Sequence, residues 1–167
     1  IGSRPLVFIC GNHDYYLGSI EAVRKTLEPL SFEKDGILYL KEGRVVELSP
    51  NVAIVGQEGW ADGRAGNFLT SEIAPNDFFE IEELKVKNVS QIPREPVRQK
   101  MQHYADQASN YAEKSLKELF KKYDHVYFIT HFPPYTEAHY YNGKPSGPDG
   151  TPFFVNQKLG ETLTKVM

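Results

Sequence analysis

The sequence predicts an α/β fold, in which strands of a sheet alternate with helices. Two apolar runs of strand length, residues 5–10 and 126–130, each lead directly into a segment rich in polar residues, glycine or proline. Between them, apolar residues recur at spacings of three and four, which is typical of helices with one buried face. In such folds the residues that follow the strands line the crevice beyond the carboxyl edge of the sheet. The segments after these two runs are therefore the first candidates for a functional site.

The first run is followed by Gly11-Asn12-His13-Asp14. Gly11 permits a sharp turn and the close approach of a ligand. Asn12 can offer an amide oxygen to a metal ion, and His13 can offer an imidazole that exchanges a proton near neutral pH. A polar turn in which Asp14 caps the next helix is the alternative interpretation of the same four residues.

The second run leads into His131-Phe132-Pro133-Pro134. His13 and His131 are far apart in the sequence, but both follow a strand end. Neighbouring parallel strands would bring them to the same edge of one sheet.

With these two motifs in this order, the chain resembles the calcineurin-like metallophosphoesterase family. The family pattern also contains Asp-x-His and Gly-Asp-x-x-Asp upstream and Gly-His-x-His downstream, and none of these occurs in the 167 residues. We therefore expect residues 1–167 to be a single, incomplete metallophosphoesterase domain. The resemblance implies an α/β fold that is part of a four-layer αββα sandwich with mixed sheets.

The resemblance also implies a dimetal phosphoesterase that hydrolyses a phosphomonoester or phosphodiester. Two divalent metal ions, manganese, iron or zinc, would generate a bridging hydroxide and clamp the phosphate oxygens. Asn12 and His131 would bind one of the ions, and His13 would contact the phosphate and protonate the leaving alkoxide. Two protein ligands cannot hold a dimetal centre, so we expect activity of the full-length protein and not of these residues alone. The alternative is a non-catalytic relative that serves as a scaffold for another protein.

Three further residues are candidates for substrate binding. Trp60 lies in Gly59-Trp60-Ala61-Asp62, which resembles a segment of family members, and it either contacts substrate or anchors its loop. Tyr135 and His139 follow His131 in an aromatic segment, whose rings either stack on a substrate or pack the loop onto the domain.

Composition limits the classes of partner. The net charge of −3 gives no reason to expect bulk binding of nucleic acid. No apolar run reaches the ~18 residues of a membrane span, so we expect no membrane contact and a cytoplasmic protein. The only cysteine, Cys10, excludes an internal disulfide and is expected to be buried.

The second motif bears on the substrate class. In the resembling family, protein phosphatases have Gly-Gly after the second histidine, so Phe132-Pro133 at this position favours a small-molecule phosphate ester over a phosphoprotein. The sequence does not determine the oligomeric state.

The remaining elements follow from apolar periodicity and from turn residues. In chain order we first expect a helix over residues 15–27, which Asp14 caps and Pro29 ends, and then a hairpin over 36–48 that turns at Gly43. A strand at 52–55 and a glycine-rich loop at 56–67 follow. The rest of the chain should form a short helix within 70–92, a long helix over about 96–123 and a final helix from about 153.

Overall fold

The computed structural model describes residues 5–30, 36–88 and 91–167, which form a mixed α/β structure. The strands are β1 (Leu6–Phe8), β2 (Ile37–Tyr39), β3 (Val46–Ser49), β4 (Val52–Gly56), β5 (His125–Ile129), β6 (Tyr140–Tyr141) and β7 (Lys144–Pro145). The α-helices are α1 (Ile20–Leu27), α2 (Asp77–Glu80), α3 (Arg94–Leu119) and α4 (Gln157–Val166).

The central sheet is mixed, as predicted. Strand β4 pairs with β3 in antiparallel orientation and with β5 in parallel orientation. Strand β1 pairs in parallel with β2, and β6 and β7 form a small hairpin. Within the described residues, β1 and β5 therefore belong to separate sheets. The expectation that the two motifs follow neighbouring strands of one sheet is wrong.

The predicted hairpin over residues 36–48 is also wrong. Gly43 has the left-handed conformation expected of a turn residue, with φ of 87°. However, β2 pairs with β1 after the α1 crossover, and β3 pairs with β4. Burial explains this choice, because Tyr39 and Leu40 are only 2% and 0% exposed beside β1, whereas Leu48 of β3 stays 52% exposed.

The helix predicted over residues 15–27 begins later than expected. Asn12–Tyr15 form a 3-10 turn, and α1 starts at Ile20, where the Ser19 hydroxyl accepts a hydrogen bond from the Ala22 N–H. Between them, Leu17 is 90% exposed and has a positive φ of 59°. The backbone here bonds to the end of α2: the Leu17 N–H donates to the carbonyl of Glu80. This pairing interrupts the helix, which ends before Pro29 as predicted.

The long helix α3 is confirmed, and it covers the sheet together with α4. The buried face of α3 contains Val97, Met101, Ala105, Ala108, Ser109, Ala112 and Leu116. Its C-terminal part packs against Val55 of β4 and against Leu159 and Leu163 of α4. Its N-terminal part joins a larger core that also holds Cys10, Tyr15, Trp60 and Phe78. Among the described helices, none is both long and apolar enough to cross a membrane.

Candidate functional site

The structure brings the two motifs into direct contact. Asn12 opens the 3-10 turn after β1, and His131 follows β5, 119 residues later. The Asn12 Oδ1 atom lies 3.0 Å from Nε2 of His131. Gly11 is required for this contact, because a Cβ atom at that position would lie 2.9 Å from Cε1 of His131. The turn after β1 therefore leaves room for the imidazole of the second motif.

A buried carboxylate orients the amide of Asn12. The Asn12 Nδ2 group donates to Oδ1 of Asp77 at 2.8 Å, and the Tyr16 hydroxyl donates to the same oxygen at 2.8 Å. Asp77 itself is only 5% exposed. Because the amide nitrogen of Asn12 is held by Asp77, its oxygen faces His131.

This arrangement also indicates the protonation state of His131. Partial loss of hydration lowers the pKa of the His131 imidazole, although the charge of Asp14 opposes the shift. The neutral ring is thereby favoured, which is the form that binds metal ions. Since Asn12 Oδ1 can only accept, Nε2 of His131 carries the proton and donates it when no metal ion is bound.

His13 lies beside this pair and remains accessible. Its side chain is exposed, and its ring centroid lies 4.6 Å from that of Tyr16. Asp14 does not cap α1, which contradicts the sequence-based prediction. Its carboxylate instead accepts the Gly11 N–H at 2.7 Å and closes the 3-10 turn.

A second buried carboxylate, Glu58, lies beneath the site and joins several elements. Its side chain is about 5% exposed and accepts hydrogen bonds from the hydroxyls of Tyr15 and Tyr39, both at 2.8 Å. Arg24 of α1 pairs with its other oxygen at 3.2 Å. The Glu58 carbonyl accepts the backbone N–H of His131 at 3.0 Å.

The charge of Glu58 affects the titration of its partners. Burial raises the pKa of Tyr15 and of Tyr39, and the nearby carboxylate adds to both shifts. Burial alone would lower the pKa of Arg24, but the charge of Glu58 raises it. The two phenols therefore stay protonated donors, and the guanidinium stays charged. This network ties β2, α1 and the 3-10 turn to the loop after β4.

Cys10 is expected to be unreactive in the folded protein. Its side chain is 2% exposed, and burial raises its pKa to about 11. Since thiolate is the reactive form, ~0.1% of this thiol is reactive at pH 8, against ~25% of a free thiol. We expect alkylation by iodoacetamide, measured by peptide mapping, to be slow at pH 8 and to rise about tenfold per pH unit toward pH 11. Labelling at pH 8 as fast as in urea-unfolded protein would contradict this.

The three candidates for substrate binding lie in different environments. Trp60 is 1% exposed and packs on Tyr15, Tyr104 and Phe132, with ring centroids 5.2–6.2 Å away, so its loop is anchored as the alternative interpretation expected. Tyr135 is 41% exposed, and its hydroxyl lies 3.2 Å from Oγ1 of Thr164. The His139 ring stacks on Phe154 at 4.9 Å.

The residues present fit part of a metal site. An amide oxygen and an imidazole nitrogen converge at Asn12 and His131, and both atom types suit manganese, iron or zinc. Among the described residues there is no group of three or more His, Cys, Asp or Glu side chains that could hold a metal ion by itself. The pair would therefore contribute to a centre that needs additional ligands.

Two residues of the site, Asp77 and Glu58, were missed by sequence reasoning. Glu58 follows the end of β4, so the rule that selected His131 could have selected it too. Asp77 lies in an acidic segment without a clear pattern, and its approach to Asn12 depends on the tertiary fold.

Comparison with known proteins finds no relative of the chain. No protein-family model, no curated protein and no solved structure matches the chain.

Proposed function

We propose that the chain belongs to a dimetal phosphoesterase that resembles the calcineurin-like metallophosphoesterases. The observation that carries the proposal is the 3.0 Å contact between Asn12 Oδ1 and His131 Nε2. These atoms belong to the two residues that the resemblance assigns to one metal ion. The contact brings two motifs that lie 119 residues apart in the sequence to one place, as a shared metal ion would require.

In this proposal Asn12 and His131 hold one of two divalent metal ions in the full-length protein. When bound, such ions polarise the phosphate and lower the pKa of an attacking water. The lowered pKa of His131 supports its role, because a ligand imidazole must be neutral. The remaining ligands would come from segments like the family motifs that these residues do not contain.

His13 is proposed as the general acid. Its exposed ring stands next to Asn12 in the chain and packs on Tyr16, so it can meet a phosphate ester bound at the Asn12–His131 pair. There it would donate a proton to the leaving alkoxide.

The proposed substrate is a small-molecule phosphate ester in the cytoplasm. Phe132 is 4% exposed and packs on Trp60 at 5.2 Å, which fixes the His131-Phe132-Pro133 turn to the core. This turn carries the feature that distinguishes the chain from the protein phosphatases of the family.

A four-layer sandwich is proposed for the complete domain. Val126 and Phe128 of β5 face the helices α3 and α4, whereas Tyr127 between them is 61% exposed. Successive side chains of a strand point to opposite faces, so within the described residues the side of β5 that carries Tyr127 is open to pack against a second sheet.

Metal binding and hydrolysis by the full-length protein test the proposal. We expect Mn²⁺ binding by calorimetry and Mn²⁺-dependent hydrolysis of p-nitrophenyl phosphate or its bis-ester, the preferred ester separating monoesterase from diesterase. Asn12→Ala and His131→Ala should each weaken Mn²⁺ binding at least about 10-fold. His103→Ala is the matched control, because His103 is an exposed histidine of α3 whose ring lies 3.0 Å from the Gln107 amide. A folded protein without metal binding and activity would favour the scaffold alternative.

A further inference from the structure

The geometry points to Asp77 as a positioning residue that orients both the metal ligand Asn12 and the acid His13. This inference rests on the proposed function for its catalytic consequence, but the orientation itself is a property of the protein alone. One oxygen, Asp77 Oδ1, receives both the Asn12 amide and the Tyr16 hydroxyl at 2.8 Å.

The first effect of Asp77 is on the amide of Asn12. An asparagine side chain can rotate by half a turn and exchange its oxygen and nitrogen at little steric cost. In the rotated state the Nδ2 group would face His131, and a metal ion would meet N–H donors in place of a lone pair. The hydrogen bond to Asp77 selects the state in which the oxygen faces His131 Nε2 at 3.0 Å.

The second effect reaches His13 through Tyr16. The Tyr16 ring packs against the His13 ring with an interplanar angle of 40°. The hydroxyl of Tyr16 donates a hydrogen bond to Asp77, so the Tyr16 ring cannot change rotamer without losing that hydrogen bond. Asp77 therefore restricts the tyrosine against which the otherwise exposed imidazole rests.

Asp77 is itself well fixed. It is 5% exposed at the start of α2, next to Phe78, which is 1% exposed and packs edge-on against Phe153 at 6.0 Å. The last residue of α2 also bonds to the segment that follows the 3-10 turn, since the Leu17 N–H donates to the Glu80 carbonyl at 2.8 Å. The carboxylate thus belongs to a packed element that contacts the 3-10 turn Asn12–Tyr15 from a distant part of the sequence.

Three variants of the full-length protein separate positioning from general support. Asp77→Ala removes the acceptor, Asp77→Asn keeps an oxygen that can accept from Asn12, and Tyr16→Phe keeps the ring but loses its hydroxyl. Glu83→Ala is the matched control, because Glu83 Oε1 likewise accepts two hydrogen bonds, from the Ser19 hydroxyl and the Glu21 N–H, but these donors lie at the start of α1.

We expect Asp77→Ala to weaken Mn²⁺ binding about 10- to 100-fold, as the loss of residues that orient metal ligands does elsewhere. Asp77→Asn should recover most of the affinity. Tyr16→Phe should leave affinity unchanged and lower kcat more than it changes KM. Glu83→Ala should change neither affinity nor kcat. A folded Asp77→Ala protein whose Mn²⁺ affinity and kcat stay within twofold of wild type would overturn the inference.

A measurement without metal keeps this inference separate from the proposed function. In ¹H–¹⁵N spectra, the side-chain amide protons of Asn12 should exchange with water more slowly in wild type and in Glu83→Ala than in Asp77→Ala. Equal exchange in all three would overturn the inference even if the protein proves to be an active enzyme. If wild type binds no Mn²⁺ but the exchange difference is found, the proposed function fails and the positioning role of Asp77 stands.

Discussion

Replacement of His13 by alanine is expected to lower kcat for esters with poor leaving groups by about 10²- to 10⁴-fold. The imidazole would protonate the departing oxygen, and the benefit of that proton increases with the basicity of the oxygen. An alkyl phosphate should therefore lose the full factor, whereas p-nitrophenyl phosphate, whose leaving group is a weak base, should lose much less. Mn²⁺ affinity should not change, because the proposed ligands Asn12 and His131 contact each other without His13.

The comparison of two leaving groups is the decisive part of this experiment. His103→Ala, which also removes an exposed imidazole, should retain the rates of wild type with both esters. Equal losses in the His13 variant with alkyl and p-nitrophenyl esters would show that His13 binds phosphate but does not donate the proton. Unchanged rates with both esters would remove it from the catalytic machinery.

The substitution Glu58→Ala is expected to lower the stability of the folded protein by a large amount. This change leaves the hydroxyls of Tyr15 and Tyr39 and the guanidinium of Arg24 without their common acceptor. Removing one partner of a buried ion pair costs about 3–5 kcal/mol. Because the Arg24 side chain is 29% exposed and can be rehydrated, we expect the lower end, about 3 kcal/mol of unfolding free energy.

Urea unfolding followed by circular dichroism measures this loss. Glu58→Gln should fall between wild type and Glu58→Ala, because its amide oxygen can still accept from a tyrosine but no longer neutralises Arg24. Glu118→Ala is the control: Glu118 is 66% exposed and pairs with Lys121 on the surface, so its loss should cost below about 0.5 kcal/mol. A Glu58→Ala protein within about 1 kcal/mol of wild type would show that the network contributes little.

The local sequence pattern was sufficient to predict an element when the buried residues of that element follow one another at a regular spacing. The buried stripe of α3, from Val97 to Leu116, repeats at helical spacing, so the helix could be predicted within a few residues of its ends. The end of α1 before Pro29 likewise follows from a single residue. Asn12 and His131 could be selected because each follows an apolar strand, and the structure places their side chains in contact.

Pairing between distant segments could not be predicted in this way. The apolar run of β2 suits a hairpin with β3 as well as a parallel pair with β1, and only the burial of Tyr39 and Leu40 decides between them. The start of α1 is delayed by backbone hydrogen bonds of Leu17 and Gly18 to Glu80 and Glu82, at the end of α2 and just after it. The sequence around Leu17 contains no pattern that predicts hydrogen bonds to residues so far away in the chain.

The sequence by itself determined the α/β class, the long helix and the two candidate site segments, because these depend on periodicity and on residue types next to strand ends. The metal roles of Asn12 and His131 were implied by the resemblance. The tertiary structure decided which strands pair, which residue caps α1, and that Asp77 and Glu58 support the site. The reason is physical: a buried carboxylate is stable only where several donors converge on it, and those donors come from segments that meet only in the folded chain.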